Sequence, residues 1–373
     1  MADKSIERLT RPVLSRMKEY SPGKPIWEVQ QELGIKEVIK LSSNENPLGV
    51  SPLAQEAITR YVSELHRYPD AYTTRLREAI SIQYDVSDEQ VIVGNGGDEI
   101  ITMISETFLE EGDEIIVPTP SFSEYEFGGN LMGAKVMKIP LNSDFEYDLD
   151  LISGAITEKT KLLYLCSPNN PTGTYIKKAE LDTFLQNLPR RIIVVFDGAY
   201  SHYATTDDYS DGVEFLKQGK QIIVIQTFSK IFGLAGLRVG FGISSKEIVN
   251  SIHKVREPFN VNTLAQIAAE AAIKDVQHVE ASRALNEAGK TQLYKAFNVM
   301  NFTYIKSMGN FILVNVGDKA SFIYEQLMAK GFIVRYGGVW GLPNHLRVTI
   351  GTEKENTGLI SALERILDDI NKR

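Results

Sequence analysis

The stretch QTFSKIFGLAGLRVGF, Gln226 to Phe241, sets Lys230 between a hydroxyl-bearing run and a run of small residues, with Arg238 eight residues further on. An amine in such company can condense with a carbonyl or move a proton, provided it is drawn away from bulk water. Most lysines are plain surface. This one follows the apolar run Gln221–Gln226, whose pattern predicts a buried strand, so it stands where a strand runs out. In open α/β sheets that edge is where ligands bind.

Three further stretches carry polar residues beyond apolar runs. VVFDGAY, Val194–Tyr200, ends its run on Asp197, where an ionised carboxyl needs a cation or donors from a distant part of the chain or from a ligand. A helix N-cap is the alternative. SPNNPTG, Ser167–Gly173, holds Asn170 before Pro171 in an extended or turn geometry, and a tight turn alone would read the same way. GNGGDE, Gly94–Glu99, lies between VIV and an apolar-periodic helix, so its backbone N–H groups can approach an anion such as phosphate. A turn with a helix cap is equally compatible, and the spacing is neither that of a dinucleotide fingerprint nor that of a nucleotide loop. Taken together, the set offers an amine for a carbonyl, a carboxylate for a pyridinium nitrogen, an amide for a phenolate oxygen, and glycine-loop amides with Arg238 for a phosphate. Those are the functional groups of pyridoxal 5′-phosphate, PLP.

The elements that must position these residues can be read from the same pattern. Between about Pro47 and Lys254 the apolar runs VIVG, DEIIVP, KVMKIP, KLLYLCS, RIIVVFD, QIIVIQT and VGFGI alternate with amphipathic stretches such as Asp98–Leu109 and Lys178–Leu188. Strands that are apolar nearly throughout predict a mainly parallel sheet covered by helices on both faces, an α/β domain spanning residues 46–257. After Glu257-Pro258 the pattern changes to long helical stretches, NFILVNV, FIVRY, HLRVTIG and a terminal helix, which predicts a smaller α+β domain over 258–373. Residues 1–45 are too few for a domain and are expected as an arm packed on the smaller one.

The bulk numbers narrow the function. With 373 residues, 43% of them hydrophobic, the chain can bury one large core and a smaller one. A net charge of −8 with no basic block argues against nucleic acid as a partner. The single cysteine, Cys166, excludes an intramolecular disulfide and cannot alone make a cysteine-based zinc site; in KLLYLCS it reads as a buried strand thiol. The five histidines lack metal-binding spacing, so no metal is expected. The first twenty residues are amphipathic without a signal-length apolar core, and no run approaches a membrane span, so a cytoplasmic protein is expected.

The ordered motifs SPNNPTG, DGAY and TFSKIFGLAGLRVG closely resemble those of fold-type I PLP-dependent aminotransferases. With YSPGKP at Tyr20, LSSNENPLG at Leu41–Gly49, RYPD at Arg67–Asp70, GNGGDE, and REPFN at Arg256, the likeness covers nearly the whole chain and is similar to the histidinol-phosphate aminotransferase branch. The resemblance implies that Lys230 forms the Schiff base and that Asp197 keeps the pyridine nitrogen protonated. Asn170 and Tyr200 would hold the ring's phenolic oxygen, and Phe122 would stack on the ring where many relatives have tyrosine. Gly96, Gly97, Asp98, Thr227, Ser229 and Arg238 correspond to the phosphate cup. Tyr68 matches a residue that reaches the neighbouring subunit's cofactor, implying a homodimer with shared sites. Tyr20, Arg335 and Arg347 match substrate-phosphate contacts, and Asn46 is expected among the substrate-binding residues.

The implied reaction moves the amino group of L-histidinol phosphate to 2-oxoglutarate, a step of histidine biosynthesis. Two departures bear on it: family members usually have glutamate where this chain has Gly198, and Trp340 lies close to Arg347 in sequence. The alternatives are an aromatic amino acid aminotransferase, since guanidiniums bind carboxylates as readily as phosphates, and a PLP decarboxylase of a phosphorylated amino acid. A PLP-binding regulatory module is disfavoured by the lack of a leading basic domain, and a dehydrogenase by the failed fingerprint.

Overall fold

The structure is a computed structural model that describes residues 9–17 and 23–372. A two-residue strand β1 (Ile39–Lys40) precedes seven strands, β2 (Val91–Gly94), β3 (Glu114–Thr119), β4 (Lys135–Pro140), β5 (Thr160–Cys166), β6 (Ile193–Asp197), β7 (Ile222–Thr227) and β8 (Gly240–Ile243). These seven form one sheet in the order β2-β8-β7-β6-β5-β3-β4. All neighbours run parallel except β8, which is antiparallel to both β2 and β7. The mainly parallel sheet expected from the apolar runs is therefore present, and each of the seven quoted runs supplies one of its strands.

Both faces of that sheet are buried, which explains why its strands lack polar alternation. On β5, Leu163 and Leu165 face one core cluster while Leu162, Tyr164 and Cys166 face the other. On β7, Ile222 and Val224 face the first and Ile223 and Ile225 the second. Each such fully buried aliphatic side chain contributes about 1.5–3 kcal/mol relative to exposure. Helix Gly97–Phe108 covers the second face with Ile100, Ile101 and Ile104; Ala265, Ala268 and Ala269 of helix Thr263–Ala272 join the first.

The remaining strands are β9 (Thr303–Tyr304), β10 (Phe311–Asn315), β11 (Phe332–Ile333), β12 (Arg335–Tyr336) and β13 (His345–Thr349). Four of them make an antiparallel sheet, β12-β13-β10-β9, with its own core beneath the C-terminal helix Glu353–Asn371, whose capping box runs between Thr352 and Glu355. β1 pairs parallel with β11, and Leu41 just after it is buried in this core. The chain from Ile39 therefore runs along the smaller sheet before it reaches the larger one. Among the described residues no helix is long and apolar enough to cross a membrane.

Candidate active site

Strand direction places the chemistry. The C-terminal ends of β5, β6 and β7 lie side by side, with Cys166 opposite Asp197 and Asp197 opposite Ile225. Asp197 thus sits in the centre of the sheet's edge with an apolar neighbour on either hand. Two residues further along the same edge, Gly94, Gly240 and Thr227 are register partners across β2, β8 and β7. A cavity of about 670 Å³ opens over this edge and is closed from the other side by Ser42–Asn44, Arg335 and Arg347. Its size suits a small-molecule site.

At one end is an anion nest. Gly96 has φ +89°, and a Cβ there would come 2.5 Å from the Arg238 guanidinium. A Cβ at Gly240 would lie 2.8 Å from the Gly96 carbonyl carbon and the Gly97 nitrogen, so only glycine lets strand and loop close this tightly. Gly97 opens the helix Gly97–Phe108, whose first N–H groups lack intrahelical acceptors. Arg238 reaches the nest from the far side, bonding Ser229 Oγ at 3.3 Å and Asp98 at 3.1 Å; Thr227 Oγ1 accepts the Ser229 N–H.

In the middle lie the acid and the amine. Asp197 accepts the Tyr125 hydroxyl at 2.6 Å and the Ala199 N–H at 2.9 Å. Burial pushes its carboxyl above the usual range, against those two hydrogen bonds, and no ion pair among the described residues compensates the charge. Lys230 Nζ donates to the Ser43 carbonyl at 3.1 Å and stands over the Tyr200 ring. Burial, and then the neighbouring Arg347 charge, lower its pKa to about 8. At pH 7 such an amine is neutral in roughly one molecule in ten, against about one in three thousand for an unshifted lysine. A buried carboxylate wanting a cation, a partly neutral amine and an anion nest in one cavity fit a pyridine that carries an aldehyde and a phosphate. One consequence can be measured on the protein stripped of cofactor. The rate at which Lys230 captures an added aldehyde should rise close to tenfold per pH unit below about pH 8 and level off above it, because only the deprotonated amine attacks. Stopped-flow absorbance reads this rate, and a profile still climbing steeply beyond pH 9 would contradict the depressed pKa.

At the far end are the arginines. Arg335 and Arg347 are register partners on β12 and β13. Arg347 is buried, donates to Asn170 Oδ1 and to the Ser42 carbonyl, and lies between the Phe311 and Trp340 rings, 5.5 and 5.1 Å from their centroids. Trp340 lines the cavity beside Arg347.

The structure therefore brings Lys230, Asp197, Tyr200, Asn170, Phe122, Gly97, Asp98, Thr227, Ser229, Arg238, Arg335 and Arg347 to one cavity, with Gly96 in its anion nest. It does not bring Asn46 there. The Asn46 amide is bonded elsewhere, donating to Ile231 O and Ser282 Oγ and accepting the Leu48 N–H, and the residue does not line the cavity. Asn44, two residues earlier, takes the place beside the cavity and donates to the Tyr200 hydroxyl at 2.9 Å. Tyr125 was also missed; it lies in the first turn of helix Ser123–Leu131, three residues after the N-cap Phe122 whose ring it meets edge-on, a signal the sequence does carry. Tyr68 is 84% exposed, stacked on Phe259, and lies in a separate cleft rather than in this chain's own cavity. Tyr20 lies outside the described residues. The Gly198 departure has a physical reason: a Cβ there would lie 2.8 Å from Nε2 of Gln226, a fully buried side chain whose other amide atom accepts the Ser201 hydroxyl. Cys166 is buried, its thiol pushed up by desolvation, and it donates weakly to the Pro168 carbonyl.

Comparison with known proteins agrees with this geometry. The family model described as aminotransferase class I and II matches residues 36–363. The histidinol-phosphate aminotransferase of Moorella thermoacetica is 47% identical over 358 residues, covering 96% of this chain and 92% of that protein. That of Caldicellulosiruptor saccharolyticus is 44% identical over 357 residues, 96% of this chain and 99% of that one. Among solved structures, histidinol-phosphate aminotransferase from Sinorhizobium meliloti in complex with pyridoxal-5′-phosphate superposes with a TM-score of 0.89 at 24% identity, over 97% of this chain and 98% of that one, a likeness of fold. A match running from residue 36 to residue 363, with relatives this similar along nearly their whole length, means that the chain belongs to the class I and II aminotransferases.

Proposed function

We infer that this chain transfers the amino group of L-histidinol phosphate to 2-oxoglutarate with PLP as cofactor, giving imidazole acetol phosphate and glutamate. The observation that carries this reading is the single cavity that has Lys230 and Asp197 at its centre, the glycine nest with Arg238 at one end and the Arg335–Arg347 pair at the other. The relatives of similar length, named for this activity, point the same way.

When bound, PLP supplies an aldehyde carbon that can exchange amine partners and a ring that withdraws electrons from the substrate's α-carbon. The protein supplies the rest. The nest at Gly96–Asp98, with Arg238, Thr227 and Ser229, anchors the cofactor phosphate. Asp197 holds a proton on the ring nitrogen, and Tyr125 and Ala199 hold Asp197 in place. Phe122 offers a stacking face, and Asn170 with Tyr200 binds the ring oxygen. Lys230 Nζ would take the proton from the substrate α-carbon as general base and would pass it to the carbon that was the cofactor's aldehyde, a role suited to an amine whose pKa is lowered to about 8. Arg335 and Arg347 clamp the substrate's phosphate, two planar guanidiniums on one dianion, with Trp340 and Phe311 fixing the plane of the second. Two copies would complete the assembly. The exposed Tyr68, with Tyr72, Leu53 and Leu65 nearby in the chain, offers the surface that a second copy would cover. The reaction is assigned to the cytoplasm.

The test is turnover of histidinol phosphate and of phenylalanine in parallel, each with 2-oxoglutarate, reading glutamate. The phosphate donor is expected to win by at least about 100-fold in kcat/KM, because a clamp built for a dianion is left underfilled by a carboxylate. Preference for phenylalanine would hand the site to aromatic amino acids, and carbon dioxide released without glutamate from a phosphorylated amino acid run as a third substrate, O-phosphothreonine, would make the enzyme a decarboxylase.

A further inference from the structure

Three consecutive residues at the cavity's rim each meet a different functional side chain. Ser42 offers its carbonyl to Arg347, Ser43 offers its carbonyl to Lys230, and Asn44 offers its side-chain amide to Tyr200. The third contact is the informative one, because its direction can be worked out from the bonds around it.

Thr349 Oγ1 accepts the Asn44 backbone N–H at 3.0 Å and therefore has its one proton left to give, which goes to Asn44 Oδ1, also at 3.0 Å. That fixes which end of the amide is which: Nδ2 faces the Tyr200 oxygen at 2.9 Å. An amide nitrogen only donates, so the Tyr200 oxygen is the acceptor and its own proton is not used in this bond. Tyr200 is 4% exposed, its ring is pinned edge-on against Phe311, and no second hydrogen bond to its hydroxyl exists among the described residues. The charged groups around it are Arg347, Asp197 and Lys230. The direction left for the phenol's proton is the cavity that Tyr200 lines. Asn44 itself is fully buried in a left-handed backbone conformation, φ +55°, that asparagine tolerates, and Asn310 Nδ2 ties down its carbonyl at 3.0 Å.

We propose that Asn44 is a positioning residue for the reaction inferred above: by donating to the Tyr200 oxygen it commits the tyrosine's single proton to the cavity, where it is offered to the ring oxygen of the bound cofactor. The inference rests on that reading of the function. It differs from a merely structural role for the rim, in which Asn44 would only hold the backbone, and the two make different predictions for the cofactor's protonation.

The measurement is the pH titration of the visible absorbance band of the enzyme loaded with PLP, together with Tm. In Asn44→Ala the midpoint should rise by about half a pH unit or more, because a ring oxygen deprived of its donor holds the neighbouring proton more tightly. Asn44→Asp turns the donor into an acceptor, draws the tyrosine's proton to itself, and should shift the midpoint further in the same direction. Asn310→Ala loosens the same rim without touching Tyr200; it should lower Tm and leave the midpoint at the wild-type value. A wild-type midpoint in Asn44→Ala, or an equal shift in Asn310→Ala, overturns the proposal in favour of plain support of the backbone. Should Asn44→Ala not fold, Thr349→Val carries the test: freeing the amide to turn over should move the midpoint upward by a smaller amount, and no movement overturns the proposal. A wild-type protein that takes up no PLP overturns the reading of the function itself, and this inference with it.

Discussion

Lys230→Ala is expected to lose at least about 10⁴-fold in turnover, the combined cost of a missing nucleophile and a missing general base. Its effect on the fold should be small. Among the described residues the Lys230 side chain makes one hydrogen bond, to the Ser43 carbonyl, and it faces a cavity instead of packing in either core. The anion nest, Asp197 and Asn170 remain, so the variant should still bind PLP, but without a covalent link. Borohydride reduction followed by peptide mass analysis separates the two cases: the wild type should carry the reduced cofactor on the peptide containing Lys230, the variant nowhere. A variant that transaminates at the wild-type rate would remove the amine from the mechanism altogether.

Asp197→Asn should cost about 10²–10³ in kcat, the scale on which removing one preorganised electrostatic contact is felt. The carboxyl ends β6 between Cys166 and Ile225, and its only protein partners among the described residues are the Tyr125 hydroxyl and the Ala199 N–H. Both are neutral donors, and burial still leaves the carboxyl raised. What such a group lacks is a positive charge, and a protonated ring nitrogen supplies one. Asparagine keeps the shape and can keep a bond to Tyr125, but it cannot hold that proton, so the electron-withdrawing power of the ring should fall while the Arg335–Arg347 pair, proposed to hold the substrate, is untouched. The expected signature is a lower kcat with KM for the amino donor changed little. Unchanged kcat would mean that the ring nitrogen is held by something else.

The larger sheet was legible because its physics is local. A strand buried on both faces must be apolar at nearly every position, as Ile222–Ile225 are, and a polar residue directly after such a run, as at Asp197, has no interpretation within the strand. Lys230 and Arg238 were visible for the same reason. What escaped was decided by partners far away in the chain. Asn44 and Asn46 are two residues apart in one motif, and choosing between them depends on Thr349, 305 residues from Asn44, and on Ser282, 236 from Asn46. Tyr125 becomes meaningful only through Asp197, 72 residues on. Tyr68 shows the opposite limit: its motif is plain in the sequence, but in the fold it stacks on Phe259 in a separate cleft, away from this chain's own cavity.

Gly198 and Gln226 constrain how this sequence can change. With the Gln226 amide filling the volume above position 198, any side chain introduced at 198 meets it head-on. A side chain at 198 therefore requires the buried Gln226 amide to turn away or be replaced by a smaller group, so substitutions at the two sites are coupled. The consequence is epistasis between neighbouring strand ends: the effect of a change at 198 depends on which residue stands at 226.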